Sequence, residues 1–371
     1  DNGAQPSGAV VSGQGTSQLK ITGLTASEAG SYACVITGTC GNVNSQSAIL
    51  TMNTPVQITV QPPATTTCQG TSTEITFTYT GNATSFKWKK NGSYISDGGN
   101  LLGTGTDKLQ ISNAALTDAG FYSCEVNGTC NSVNTQSAQL VVNPTVQITQ
   151  DPVGAVLCEG NNVQFMVVAT GVMPLTYDWR LNNVSLGAPH SSSLTINGID
   201  ASDAGAYTCV VTGASCGTAT SSPATLVVNP QIDINNQPVN ITVCEDNTVI
   251  FTVDATGTGT LDYKWLFNNN YLVDDGRIVG ATTNQLKVNL STNSDEGTYK
   301  CEIYSTCGNT TSNSVTLAVT DSTKITAHPV SQTVVETSTV TFNVAATGAG
   351  LTYQWERNLG AGYNPIAGAI S

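Results

Sequence analysis

The chain has 371 residues, with 12 Lys plus Arg against 25 Asp plus Glu and a net charge of −13. That balance offers nothing to a nucleic-acid backbone or an anionic membrane, so neither is an expected partner. No run approaches the ~18 consecutive apolar residues of a membrane-spanning helix. Only 10% of residues are charged and 11 are cysteines, a composition that points to a secreted or cell-surface protein in oxidising surroundings.

Residues 1–53 carry Leu19-Lys-Ile21, then Glu28, Gly30, Tyr32 and Cys34 in the pattern acid–x–Gly–x–Tyr–x–Cys, then Cys40. Residues 54–143 open on an edge segment broken by Pro62-Pro63, followed by Cys68. Ile75, Phe77 and Tyr79 then alternate with polar residues, the period-two signature of a half-buried strand. Next come Phe86-x-Trp88, Leu109-Gln-Ile111, the phrase Asp118, Gly120, Tyr122, Cys124, then Cys130 and Leu140-Val-Val142. Residues 144–229 repeat the order with Pro152, Cys158, Val163-x-Phe165-x-Val167, Trp179, Leu194-Thr-Ile196, Tyr207, Cys209 and Cys216. Residues 230–320 repeat it again with Pro238, Cys244, Val249-x-Phe251-x-Val253, Trp265, Leu286-Lys-Val288, Tyr299, Cys301 and Cys307. Residues 321–371 hold Pro329, Val340-x-Phe342-x-Val344 and Trp355, with Val335 where the other units have a cysteine. The cysteines of the phrase, from Cys34 to Cys301, are 90, 85 and 92 residues apart, so each repeat is one small domain rather than a solenoid coil.

Short strands in this order, named B, C, E, F and G, with Trp on C and Tyr two before Cys on F, resemble the immunoglobulin sandwich. The expected fold is all-β: tandem immunoglobulin-like β-sandwiches stacked end to end as a rod, with short junctions that restrict bending. Trp88, Trp179, Trp265 and Trp355 belong in the cores with Tyr32, Tyr122, Tyr207 and Tyr299. Each tyrosine should bond back to the preceding turn, which makes the acid and glycine of the phrase turn chemistry rather than catalysis. The units read as 54–143, 144–229 and 230–320, with 1–53 a C-terminal half-domain and 321–371 an N-terminal half. Read head to tail, the two halves contain every strand of one domain. Two arrangements satisfy them: a stretch of a longer array, or subunits that complete one another into a polymer.

In vertebrate immunoglobulin domains the F cysteine pairs with strand B, but here the B positions read as Tyr79, Val167, Val253 and Val344. Three alternatives stand. The count favours Cys34–Cys40, Cys124–Cys130, Cys209–Cys216 and Cys301–Cys307 across the F–G hairpin, with Cys68, Cys158 and Cys244 unpaired. Alternatively, a cysteine before strand B joins the F–G cysteine of the following domain and staples the junction. In the third, the F cysteines remain buried thiols.

Catalytic, cofactor and metal sites find no support. The histidines, His190 and His328, read as solvated surface residues, and no cysteine pair has the spacing of a zinc site. Asp274-Asp275-Gly276 reads as a hairpin turn in preference to a calcium ligand. Exposed aromatics reduce mainly to Tyr94, Tyr271, Tyr304 and Tyr363, spread among units, which favours a structural array over a binder.

Cys158-Glu-Gly160, the phrase running from Tyr32 through Cys40 to Gly41, and Ser-x-x-Ala-x-Leu before the junction, as at Ser45 to Leu50, resemble the immunoglobulin-like repeats of large secreted surface proteins of Bacteroidota. Cys68-Gln-Gly70, Cys244-Glu-Asp246 and Val335 depart from that pattern and put uniform cross-linking in doubt. The resemblance implies export to the cell surface and a role as stalk, adhesin or filament, self-associating or holding a glycan or other surface ligand. The alternative is an array of carbohydrate- or protein-binding modules.

Overall fold

The computed structural model describes residues 9–187 and 191–370, the last two as backbone only. His190 therefore lies outside the described residues, while His328 is exposed. Among the described residues, strands joined by turns and four single 3-10 turns account for the regular structure. Three of the repeats form complete sandwiches, each around its own core.

The unit built on Trp88 shows how the pattern produces the layers. Strand B, Thr73–Thr76, pairs with strand E, Lys108–Ile111, and buries Ile75, Leu109 and Ile111. Strand C, Ala83–Lys90, pairs with strand F, Gly120–Gly128, and F pairs with G, Ala138–Asn143. The first strand of the unit, Gln57–Val60, lies beside Thr78–Thr80 in the B sheet. The chain then switches sheets at Pro62, and Thr65–Cys68 runs parallel to G. Pro62, Pro152 and Pro238 are all buried at this switch. A ring without an N–H suits a position where the strand leaves one ladder before joining the next.

Three tryptophans fix the centres. Trp88, Trp179 and Trp265 are fully buried. Each indole donates to a carbonyl of the loop before strand E: Thr106 at 2.8 Å, Ser191 at 3.1 Å and Thr283 at 2.9 Å. The buried N–H of a large apolar side chain is thereby satisfied. In each unit the F cysteine is the cross-strand neighbour of this tryptophan: Cys124, Cys209 and Cys301.

The residue of strand B that follows the last B–E pair is Phe77, Val167 or Val253. Each donates its backbone N–H to the loop before strand E, and each is buried. The counterpart of Val167 in the first complete unit is thus Phe77. Tyr79, expected there from the alternation, lies two residues further on, pairs with Ile58 and is half-buried. Strand B starts five residues after the cysteine in all three units, but polar Thr73 stands where Val163 and Val249 open the apolar alternation elsewhere, and that displaced the sequence reading.

All four acid–x–Gly–x–Tyr–x–Cys phrases build one corner. Tyr32, Tyr122, Tyr207 and Tyr299 donate their hydroxyls to the carbonyls of Glu28, Asp118, Asp203 and Asp295, at 2.7 to 2.9 Å. The acid side chain turns back to accept from the backbone N–H three residues earlier, as Asp118 does from Ala115 and Asp203 from Asp200. This is the capping-box arrangement at the start of a single helical turn. The acid and glycine of the phrase are turn chemistry, as the sequence predicts.

Asp274 and Asp275 also serve a turn. Asp274 accepts from the backbone of Ala281, and Asp275 from Arg277 and Ile278. Among the described residues no group of three His, Cys, Asp or Glu is placed to hold a metal ion. No helix there is long and apolar enough to cross a membrane.

The outermost segments have the same strands with their faces open. In 1–53, strands Gly30–Tyr32 and Ala48–Leu50 pair as F and G, and Val35–Gly38 with Gly41–Asn44 forms the F–G hairpin. In 321–371, Lys324–Ala327 pairs with Ala345–Thr347 as the first strand pairs with B elsewhere. Phe342 and Trp355 meet at 6.2 Å with an interplanar angle of 38°, against 6.1 Å and 36° for Phe251 and Trp265.

Candidate functional site: the stapled junctions

Two disulfides join neighbouring sandwiches. Cys68 is bonded to Cys216 and Cys158 to Cys307, with Cα–Cα distances of 5.3 and 5.5 Å across 148 and 149 residues of sequence. Both distances lie within the ordinary range for a disulfide.

The donor side of each staple is set by the parallel pair at the end of a unit. Cys68 is in register with Asn143, and Cys158 with Asn229. The residue after each cysteine donates its N–H to that same asparagine carbonyl, from Gln69 to Asn143 and from Glu159 to Asn229. Strand switching thus carries a cysteine to the very end of the sandwich. The other side is an F–G turn that projects backwards from the next sandwich. Cys216 sits there in the left-handed region at φ 69°, and Cys307 ends the turn between Gly297–Ser305 and Gly308–Thr311. Polar contacts accompany the bonds: Asn143 donates to Ser215 Oγ at 3.3 Å, and Gln231 to the carbonyl of Glu159 at 3.0 Å.

The pairing favoured by counting is not the one formed. In the F–G hairpin the residue facing the F cysteine is a hydroxyl residue eleven or twelve positions on. Thr135, Ser221 and Ser312 accept from the backbone N–H of Cys124, Cys209 and Cys301 at 2.9 Å, and Ser45 does so for Cys34. Cys130, Cys216 and Cys307 stand at the tip of the hairpin, while the F thiols point inward onto tryptophan. Cys124–Cys130, Cys209–Cys216 and Cys301–Cys307 are therefore replaced by bonds between units or by free thiols, and Cys34 and Cys40 are likewise free. Cys68 and Cys158 are bonded between units, and Cys244 carries a free, exposed thiol.

The buried thiols are inert by environment. Burial pushes Cys124 up to about 12, Cys209 to about 11 and Cys301 to about 12. A thiolate is the nucleophilic form, so these three cannot exchange or oxidise while the sandwich is closed.

Two features escaped the sequence reading. The first is an asparagine three residues after each tryptophan: Asn91, Asn182 and Asn268, with φ of 49°, 50° and 47°. Each side chain accepts from strand F, from the N–H of Phe121, Ala206 and Thr298 at 2.9 to 3.0 Å. A Cβ on Gly120 would lie 2.9 Å from Asn91 Oδ1, which gives the glycine of the repeated phrase a steric reason. The recurring Trp-x-x-Asn spacing was the available signal.

The second is a tyrosine–carboxylate cluster on the outer face of the C–F sheet. Glu125 accepts from Lys89 at 2.8 Å and Tyr94 at 2.6 Å, which holds its carboxyl down at about 2. Glu302 accepts from Tyr304 and Tyr271, both at 2.7 Å, and is likewise lowered by these bonds. Tyr94 and Tyr271 occupy the same place in their units, beside the C strand. The exposed aromatics are less scattered than the sequence suggests. The unit between has Ser185 on Asp178 instead.

Residues 56–142 and 232–319 match the family model for the immunoglobulin I-set domain, and residues 144–212 the model for the immunoglobulin domain. Human neogenin is 27% identical over 76% of this chain and 20% of its own length. The mouse cell adhesion molecule DSCAML1 is 24% identical over 76% of this chain and 15% of its own. The chain thus spans a fifth or less of the length of these relatives. The titin I-band fragment I67-I69 superimposes with a TM-score of 0.59 over 72% of this chain and 99% of that fragment, at 19% identity, a likeness of fold. The matched domains cover well over half the sequence and contain the tryptophan, the tyrosine corner and the two-sheet topology described above, so the chain belongs to the immunoglobulin family, with its domains in tandem.

Proposed function

We propose that the chain is part of an extracellular adhesion array, in which immunoglobulin domains act as spaced and stiffened structural units. The observation that carries this reading is the pair of disulfides across successive junctions. A binding module needs a stable sandwich, but it does not need its neighbour fixed to it. Bonds placed only between sandwiches contribute reach and resistance to bending. Disulfides also persist in oxidising compartments, which supports a place outside the cytosol. The relatives named above are animal proteins, one of them titled a cell adhesion molecule. The resemblance to bacterial surface repeats rests on the quoted motifs alone, and the present reading does not depend on it.

Small-angle scattering of the full chain tests the proposed stiffening: opening either staple, in Cys68→Ser or Cys158→Ser, should broaden the distribution of distances, and an unchanged distribution would refute the stiffening role.

A second reading, glycan or protein binding, is favoured by the Tyr94–Glu125–Lys89 and Tyr271–Glu302 clusters. An exposed ring beside a fixed carboxylate is the surface a sugar or a peptide uses. Glycan-array binding lost in both Tyr94→Ala and Tyr271→Ala would support it.

A further inference from the structure

We infer that the two staples tie the three complete sandwiches side by side against tension, so that pulling on the chain cannot open them one at a time. The inference rests on the reading of the chain as part of an anchored array and adds a load-bearing function to it.

The two bonds overlap in sequence. Cys68–Cys216 and Cys158–Cys307 share the 58 residues from Cys158 to Cys216. They divide the chain between Cys68 and Cys307 into three pieces that have the same two ends, one at each junction. Cys68 to Cys158 is 90 residues, Cys158 to Cys216 is 58 and Cys216 to Cys307 is 91. The first piece passes through strands B to G of the unit built on Trp88. The second is strands B to F of the unit built on Trp179, and the third passes through the unit built on Trp265 as far as its strand F.

Across the outer two of these units, tension has a covalent track that avoids the core. In the first, Gln57–Val60 and Thr65–Cys68 follow each other across the switch at Pro62 and end in register with Asn143, at the close of strand G. The bond to Cys216 takes the load from there. In the third, load enters at Cys307 in the F–G turn and leaves along Gly308–Thr311 and Val315–Thr320. A strand already rises ~3.3 Å per residue against a limit of ~3.6 Å, so neither track can lengthen much.

Only the span between the two bonds can lengthen, and all three pieces must yield for it to do so. The first unit must surrender Leu140–Asn143 from Thr65–Cys68. The middle unit must shear Ala155–Cys158 from Leu226–Asn229. The third must let Asp233–Asn236 leave Asp254–Thr256. Each sandwich opens cooperatively, and forced opening follows the barrier to unfolding. In an unstapled array the weakest unit opens alone under the full load. Here the load is divided among three barriers that must be crossed together. Once they are crossed, the shortest piece sets the limit: 58 residues reach ~200 Å, where the 239 residues from Cys68 to Cys307 would reach ~800 Å. Bonds within the F–G hairpins, such as Cys124 to Cys130, would have left the units in series.

The test is to stretch the full chain between handles at its two ends in a single-molecule force instrument, with the staples checked by peptide mapping. The parent should show no step the size of a whole unit. Its stapled region should yield in one event that adds no more than ~200 Å. In Cys68→Ser the first unit stands in series and Cys158–Cys307 bypasses the other two, so one step of ~300 Å should appear. Cys158→Ser should free only the third unit, in a step of the same size. The parent should yield at roughly two- to threefold the force of either single variant, because three units share its load. Cys68→Ser/Cys158→Ser, or the parent in dithiothreitol, should show three steps. Should Cys68→Ser fail to fold, Cys216→Ser breaks the same bond from the other side. Whole-unit steps in the stapled parent, or a parent no stronger than the single variants, overturn load sharing. If opening a staple still broadens the small-angle distribution, the stiffening reading survives that result. Whole-unit steps with an unchanged distribution, or mapping that finds no bond between units, overturn both.

Discussion

Trp265 and Cys301 stand directly opposite each other on strands C and F, and neither exposes any surface. Trp88 with Cys124 and Trp179 with Cys209 repeat the relationship. Where many immunoglobulin domains cross-link this place, the present chain fills it with an apolar residue of strand B and a free thiol. The cysteine chemistry is moved to the ends of the sandwiches, where it acts between domains.

The buried thiols should therefore be silent in the native protein. Iodoacetamide at pH 8 should label Cys40, Cys130 and Cys244 but leave Cys124, Cys209 and Cys301 unmodified until denaturant is added. The same burial makes stability pH-dependent. In the unfolded chain these thiols ionise near 9, whereas Cys124 and Cys301 hold their protons to about 12. The folded state thus binds more protons in that window, and stability falls as pH rises from about 9 towards 12. Each thiol steepens the fall by at most ~1.4 kcal/mol per pH unit. Urea midpoints measured between pH 8 and 11 should decline, with a shallower slope in Cys301→Ala.

The clamp from strand C to strand F is testable at Asn182. Its side chain accepts from Ala206 while its backbone sits at φ 50°. Asn182→Ala loses the hydrogen bond and strains the turn, with an expected loss of about 1–2 kcal/mol. Asn182→Gly keeps the turn and loses only the bond, so it should be the milder variant. Equal losses would show that the bond alone matters.

The repeated phrase made most of this architecture legible. Alternating residues and the Trp and Tyr-x-Cys spacings define the sheets and core, because burial of one face demands period two. The cysteine pairing was not legible in the same way. A hairpin partner is decided by register, and nothing in the spacing of Cys124 and Cys130 says that Thr135 rather than Cys130 faces Cys124. The staples depend on which ends of two sandwiches meet, a relation spread over 148 or 149 residues. The asparagine clamp was legible in the Trp-x-x-Asn spacing but carries no signal of its φ until the turn is built. The polar Thr73, at the inward position held by Val163 and Val249 elsewhere, hid the start of strand B, so the alternation was read one inward position late and Tyr79 was put where Phe77 belongs.

Cutting a staple should change motion more than folding. Each sandwich has its own core, so Cys158→Ser leaves the hydrophobic burial of both neighbours intact. The bond instead limits the freedom of one folded body against another. Small-angle scattering of C158S should show a broader distribution of distances than the parent chain, while the near-ultraviolet dichroism of the tryptophans stays unchanged. A loss of that dichroism would mean that the staple supports the cores themselves.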